Sequence, residues 1–329
     1  MKTIFLSIIV PVYNVSRYIE KCISSILNQD IEIADIEIII VNDGTPDDSI
    51  EKIQSLIDEN DNIKLIVQEN KGLSEARNAG LRCATGTYVW FVDSDDWISR
   101  SSIRIIKEYS SRFQAAECFF ANVITVDEMT RTEKLQSAPC EYYDKEITGD
   151  KFLTVSKFIT PIQKYIFKRH FLLKHNAFFV PNMYHEDVEL TIRIMPRISS
   201  IVVIRENLYY YLQRGTGNIM SQLKKKNIED IVFTIRQCYH SSIIMPKEKK
   251  DIYKNRLFLL NMTLISFLSK ISKKDSALCL ELYGNLIREI SRYTFNSITF
   301  CEKAKSLLLI ISPKCYVGIR RINNCYFLN

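Results

Sequence analysis

Thr87-Tyr88-Val89-Trp90-Phe91-Val92-Asp93-Ser94-Asp95-Asp96-Trp97 is an apolar run that ends in three carboxylates. An uncharged run of this kind suits a strand covered on both faces, and the acidic residues after it fall where such a strand leaves the carboxyl edge of a sheet. Asp93 and Asp95 are two apart, so on an extended backbone they point to the same side. Carboxylates this close repel one another unless a cation sits among them. Hard oxygen ligands of that kind suit Mg²⁺ or Mn²⁺, and the expected load for such a metal is a diphosphate. A plainer reading is that Asp95, Asp96 and Ser99 open the following helix, since Asp and Ser favour N-caps and first turns.

The surrounding chain bears on that choice. Residues 6–12, 36–42 and 63–67 are short apolar runs like 87–92. Helical patterns lie between them at 15–28, 46–59 and 72–84, with apolar residues at three-and-four spacing such as Ile19, Ile23, Ile26 and Leu27. Strands alternating with helices predict an α/β fold with a doubly wound, mostly parallel sheet. Ligands of such sheets bind at the carboxyl ends of strands. Three polar clusters fall there: Pro11-Val12-Tyr13-Asn14, Asn42-Asp43-Gly44-Thr45 and Asp93-Ser94-Asp95-Asp96. A helix at 100–112 and a strand at 117–126 follow, then shorter elements through Tyr211. Long helical windows at 226–243, 247–271 and 275–292 predict a helical C-terminal appendage. The second of these carries Leu257, Leu260, Leu264, Phe267, Leu268 and Ile271 on one broad apolar face. Gly215, Gly217 and Lys224-Lys225-Lys226 mark the boundary, so the expected domains are 1–221 and 222–329.

At 329 residues the chain can hold a full core, and 47% hydrophobic with 25% charged residues is ordinary globular composition. Nine scattered cysteines without a Cys-x-x-Cys argue for reduced thiols in a cytoplasmic setting rather than disulfides or zinc. The N-terminus reads as a first strand rather than a signal peptide. No stretch reaches the roughly 18 apolar residues of a membrane span, so the expectation is a soluble or peripheral protein. From Gln222 onward there are 19 Lys and Arg against 8 Asp and Glu, net +11, while the part before it is net −5. The absence of a Gly-x-Gly-x-x-Gly after the first strand, and of a Gly-Lys-Ser/Thr loop, sets aside dinucleotide-binding and NTPase folds.

Four stretches stand in order along the chain: Ser7-Ile8-Ile9-Val10-Pro11-Val12-Tyr13-Asn14, Ile38-Ile39-Ile40-Val41-Asn42-Asp43-Gly44-Thr45, Asn70-Lys71-Gly72-Leu73-Ser74-Glu75-Ala76-Arg77-Asn78-Ala79-Gly80 and Phe91-Val92-Asp93-Ser94-Asp95-Asp96. In that order and spacing they resemble the family 2 glycosyltransferases, inverting enzymes of the GT-A fold that use nucleotide-activated sugars. The resemblance implies a nucleotide-binding half at 1–98 and an acceptor half at 99–221. Pro11 and Tyr13 would line the base, and Asp43 would accept a hydrogen bond from its edge. Arg77 would face the nucleotide and organise the carboxylates. Asp95 would be a direct ligand of a Mn²⁺ or Mg²⁺ bridging the diphosphate, with Asp93 toward the ribose or the metal's water shell, and Asp96 stays open. The bland alternatives are that Asp43-Gly44 is only a turn and Arg77 only a helix-surface residue.

Inverting transfer also needs a base for the acceptor hydroxyl. Tyr184-His185-Glu186-Asp187-Val188-Glu189 looks like the family's Glu-Asp pair, with Asp187 the first candidate and Glu186 the second. Complementing a helix dipole is the alternative for both. His185 lacks the second His of a His-Glu-x-x-His zinc motif. Tyr209 to Ser221 resembles the family's segment over the diphosphate, where Arg214 would pair with phosphate oxygens. Lys164 matches a recurring lysine on the acceptor side. Processive relatives carry Gln-x-x-Arg-Trp and membrane helices, and both tryptophans here, Trp90 and Trp97, lie by the acidic motif, so one sugar is expected per encounter. The implied partners are a UDP- or GDP-sugar and a saccharide or lipid-linked acceptor. The basic, apolar tail, as in Lys305 to Lys314, suits an anionic membrane surface at the inner face of the cell membrane. Nucleic acid is not an expected partner, since the front half is acidic and carries no binding motif. A noncatalytic nucleotide-sugar binder or scaffold of a polysaccharide assembly complex is the rival function.

Overall fold

The computed structural model describes residues 3–155, 161–215 and 223–326. Thr216 to Ser221 of the expected diphosphate segment, and Gln222 at the expected domain boundary, lie outside the described residues. The chain divides into two compact units, residues 1–182 with 186–218, and residues 183–185 with 219–329.

The first unit opens with β1 (Leu6–Val12), α1 (Ile19–Leu27), β2 (Ile36–Asn42), α2 (Gln54–Glu59), β3 (Ile63–Val67), α3 (Leu73–Cys83) and β4 (Tyr88–Phe91). β1 is flanked in parallel by β2 and β4, with Leu6 opposite both Ile36 and Tyr88. Every residue of β1 and β4 is buried, as strands covered on two faces require. The helix expected over 46–59 is shortened to a 3-10 turn and α2. Asp47 accepts from Ser16 N, Thr45 Oγ1, Ser49 N and Ser49 Oγ, which fixes 45–49 as a turn rather than helix. α3 lies hard against β1 because residue 80 is glycine: a Cβ there would stand 2.3 Å from Ile9 Cγ2.

The second half adds β5 (Trp97–Ile98), α4 (Ser102–Arg112), β6 (Cys118–Asp127), β7 (Glu133–Gln136), β8 (Glu146–Ile147), α5 (Gly149–Val155), β9 (Tyr165–Lys168), α6 (Arg169–Lys174), α7 (Glu186–Ile194) and β10 (Ile201–Gln213). The sheet order is β3-β2-β1-β4-β9-β6-β10-β5, with β7 on β6 and β8 on β10. The parallel expectation describes the first four strands. Beyond them β9 runs antiparallel to both β4 and β6, and β6 pairs in parallel with β10. Two reversals restore direction, so the carboxyl ends of β1, β2, β4, β6 and β10 share one edge. Ile8, Ile38, Ile40, Trp90, Phe119, Ile166 and Val202 fill the core beneath it, each fully buried. Burial of such a side chain contributes about 1.5–3 kcal/mol.

The opposite edge holds one buried carboxylate. Glu37, at the start of β2, accepts from Ser7 Oγ, Thr85 N, Thr85 Oγ1, Gly86 N and Lys64 Nζ. Burial pushes its pKa up, but the bonds from Lys64, Ser7 and Thr85 outweigh this and hold it below the ordinary value.

The second unit contains α8 (Lys225–Ile244), α9 (Lys247–Lys270), α10 (Lys273–Thr294), α11 (Phe300–Ile311) and α12 (Pro313–Tyr326). On α9 the expected apolar face is buried at Leu257, Leu260, Leu264, Phe267 and Leu268. Among the described residues the cysteines are free thiols, and no helix is long and apolar enough to cross a membrane.

Candidate active site

The site is built along the shared carboxyl edge. After β1, Tyr13 is 46% exposed, and Pro11 is buried within the strand. Asn14 N donates to Thr45 Oγ1 at 2.7 Å, and Thr45 N donates to Asn42 Oδ1 at 2.9 Å, which lace the loops after β1 and β2 together. Asp43 is 3% exposed and works inside that lacing. Its Oδ1 accepts from Gln68 Nε2 at 2.7 Å and Lys71 N at 2.8 Å, and its Oδ2 accepts from Gly72 N at 2.8 Å. A carboxylate offers about four acceptor positions, so Oδ2 keeps room for one more donor. Gly44, at φ +67°, makes the turn: a Cβ there would also press on Asn70 N at 2.9 Å.

After β4, one oxygen from each of Asp93, Asp95 and Asp96 lies within 4.8 Å of the others. Asp93 is clamped from two sides, by Arg77 Nη2 on Oδ1 at 2.7 Å and by Gln163 Nε2 on Oδ2. Asp95 Oδ2 meets Arg214 Nε at 3.0 Å. Asp96 is buried, accepting from Tyr209 Oη at 2.5 Å and Leu212 N at 2.7 Å. Asp96 is therefore tied to β10, not to the helix that follows it. Desolvation, then the neighbouring Asp93 charge, raises the pKa of Asp95 to about 6 even against Arg214. Burial and the charges of Asp95 and Asp93 push Asp96 up as well. Three hard oxygen donors that repel one another form a donor set that fits a divalent cation, with Asp95 and Asp93 the less enclosed pair.

Arg77 joins this cluster to the start of α7. Its side chain is 2% exposed, with Nη2 on Asp93 and Nη1 on Glu186 Oε1 at 2.5 Å. Burial pulls its pKa down, but the charges of Asp93 and Glu186 overcome this and hold it above its ordinary value. The guanidinium thus bridges two carboxylates, one after β4 and one at the start of α7. Next to Glu186, Asp187 Oδ1 accepts from Val188 N at 2.8 Å. Burial, then the Glu186 charge, raises its pKa to about 7, with Arg77 opposing. A carboxylate poised there suits a general base.

Sequence reasoning missed the clamp from Gln163, whose backbone carbonyl also accepts from Trp90 Nε1 at 2.7 Å. It missed Glu128 too, which accepts from Tyr18 Oη at 2.9 Å and Gly215 N at 3.2 Å, while Arg214 lies over the Tyr18 ring at 5.5 Å. No local motif announces either residue, since each acts across the fold. Lys164, beside Gln163, is 1% exposed, and burial lowers its pKa to about 8. His185 stacks on Phe267 with ring centroids 5.2 Å apart.

The sequence model of Glycosyl transferase family 2 matches residues 7–179, more than half of the chain and all four strand-end loops through β4. The chain belongs to glycosyl transferase family 2. Among the curated members of that family-like group, the uncharacterized glycosyltransferase EpsJ of Bacillus subtilis (strain 168) is 33% identical over 228 residues, covering 68% of this chain and 65% of that protein. The minor teichoic acid biosynthesis protein GgaB of the same organism is 29% identical over 318 residues, 91% of this chain and 33% of that protein. The chain thus spans under two thirds of the length of both relatives. Among solved structures, S. aureus TarS 1–349 in complex with UDP aligns with a TM-score of 0.75 at 18% identity, over 98% of this chain and 91% of that one. The same TarS fragment is also solved with UDP-GlcNAc, with a TM-score of 0.62 at 19% identity, over 88% of this chain and 90% of that one. At such identity the likeness speaks for a GT-A type fold of this chain.

Proposed function

We propose that this family 2 glycosyltransferase is metal-dependent and inverting, and moves one sugar per encounter from a nucleotide-sugar donor to a glycan or lipid-linked acceptor in cell-surface polysaccharide biosynthesis. One observation carries the reading: buried Arg77 binds Asp93 with one nitrogen and Glu186 with the other, so the carboxylates suited to a cation and the pair suited to a base form one unit. Asp95 and Asp93 would hold Mn²⁺ or Mg²⁺, which supplies charge neutralisation for a leaving diphosphate. Tyr13 and Pro11 flank the base, and the remaining acceptor position on Asp43 Oδ2 suits a base N–H. The TarS complexes with UDP and UDP-GlcNAc favour a UDP-sugar over a GDP-sugar.

Asp187 takes the proton from the acceptor hydroxyl as its oxygen attacks the anomeric carbon. The new C–O bond forms on the face opposite the breaking bond to phosphate, and that electron pair leaves with the nucleoside diphosphate. Glu186 is the weaker candidate because it is spent on Arg77. Arg214, which meets Asp95 here, would turn to phosphate oxygens when a donor is bound. A noncatalytic binder would have no use for a carboxylate poised at Asp187. The GgaB likeness favours an acceptor of the teichoic acid kind. Lipid-linked acceptors would place the protein in the cytoplasm, peripheral at the inner face of the cell membrane, on its anionic lipids.

A panel of nucleotide sugars, each with MnCl₂, with MgCl₂ and with neither, tests the reading by thermal midpoint. One donor is expected to raise the midpoint only when the cation is present, and to support transfer to a saccharide acceptor. If no donor stabilises the protein with either cation, the reading falls.

A further inference from the structure

We propose that α11 is the face by which this protein docks on an anionic lipid bilayer; the proposal rests on the peripheral placement above and assigns it to one helix. An ordinary surface helix turns its apolar stripe inward. α11 does the reverse. At about 100° per residue, Phe300, Ala304, Leu307, Leu308 and Ile311 fall within one arc of about 100°. All five are exposed, Phe300 at 87%, Ile311 at 67%, Leu307 at 50% and Leu308 at 44%. Its inward side carries Ser306 and Leu309, both fully buried, so the helix is seated by one line of contacts and offers its apolar stripe to the outside. From Phe300 to Ile311 that stripe runs about 16 Å.

Charge around the stripe selects the occupant. Lys303 and Lys305 stand on either side of it, about 40° and 60° beyond its borders. Exposed Lys314 follows in the first turn of α12. The one carboxylate of α11, Glu302, curls back to accept from Thr299 N and Thr299 Oγ1 at 2.8 Å each, so it serves the N-cap. No acidic residue of α11 is therefore left to repel anionic headgroups. An apolar strip bordered by lysines suits the acyl-headgroup boundary, because a lysine stem can lie in the apolar layer while its ammonium reaches the headgroups. The region from Gln222 onward, at net +11, adds long-range attraction to the same surface. A second copy of the chain is the less suitable occupant, because a stable interface needs about 800 Å² per partner and two like-charged regions would have to meet.

Cosedimentation of the full chain with vesicles tests this. Vesicles of phosphatidylcholine mixed with phosphatidylglycerol are expected to carry the protein down, pure phosphatidylcholine much less, and added NaCl to weaken the binding. The double variant Leu307→Glu with Ile311→Glu is expected to lose about tenfold or more in partitioning with its thermal midpoint unchanged, since both side chains are exposed. Lys303→Gln with Lys305→Gln is expected to lose a smaller part, confined to the phosphatidylglycerol-dependent component. If the parent binds but the Leu307→Glu, Ile311→Glu variant binds as well as it does, α11 is not the face, and peripheral placement stands. If the parent binds no phosphatidylglycerol vesicle, both fall, while the donor-panel result is untouched. A parent that is dimeric by analytical ultracentrifugation, made monomeric by the double variant with vesicle binding intact, would give the face to a second copy and overturn the proposal.

Discussion

Glu37 at one edge of the sheet and the carboxylates after β4 and on α7 at the other are held in opposite ways, while Asp43, with its three donors, resembles Glu37. At the amino edge Glu37 collects five hydrogen bonds, and its pKa falls below the ordinary value although burial pushes the other way. At the carboxyl edge Asp95, Asp96 and Asp187 are enclosed among like charges, and each is pushed up. On the proposed reading, the difference separates charge used for folding from charge held for chemistry. The structural carboxylate is well supplied with donors. Those proposed for chemistry hold fewer, and a cation or a proton would relieve their unfavourable free energy.

The sharpest way to break this contrast is Asp187→Asn. Its kcat is expected to fall about 10³-fold with donor affinity kept and the folded protein no less stable; normal transfer would remove Asp187 as the base. In the parent, the base acts when ionised, so log kcat should climb with a slope near one below about pH 7 and level off above it. Asp187→Asn should flatten that profile. Next in size, Asp95→Ala is expected to cost about 10²–10³-fold in transfer and to abolish stabilisation by MnCl₂, which calorimetry reads without any turnover. Gln163→Ala should weaken apparent cation affinity about tenfold by freeing Asp93, with a smaller change in kcat; a change in kcat alone would mark Gln163 as an ordinary core residue.

Glu37→Gln should act the other way round. Transfer per folded molecule stays unchanged, while stability drops by about 1–3 kcal/mol as donors around residue 37 lose their acceptor. The sign of its pH dependence follows from its lowered folded pKa. The unfolded chain holds the proton more tightly, so the contribution is complete above the ordinary value of 4.5 and is lost as pH falls through the folded value. Urea titrations of parent and variant from pH 7 down to acid read this as a converging difference.

What was legible in the sequence follows from distance along the chain. The four parallel strands and their loops could be read because each is a short run with its polar residues directly after it, as in Val92-Asp93. β9 was not legible: Tyr165-Ile166-Phe167-Lys168 is four residues with no turn signal, yet it reverses the sheet. Arg77 reaches Glu186 across 109 positions, Gln163 reaches Asp93 across 70, and Tyr209 reaches Asp96 across 113. A motif records neighbours in sequence, and these contacts exist only once β9, α7 and β10 have been laid down. Asp187 was singled out through the resemblance, while its contrast with Glu186 comes from Arg77. The same holds for α11, whose apolar residues show in the sequence but whose outward face does not.

The contact of Arg214 with Asp95 bears on the order in which ligands arrive. A cation approaching Asp95 must compete with a guanidinium already there, and a diphosphate offers that guanidinium a new partner. Each ligand removes what hinders the other. We therefore expect cation and donor to bind synergistically, each tightening the other by the same factor. Donor titrations at rising MnCl₂ would show the same coupling in the parent and in Arg214→Ala if Arg214 played no such part.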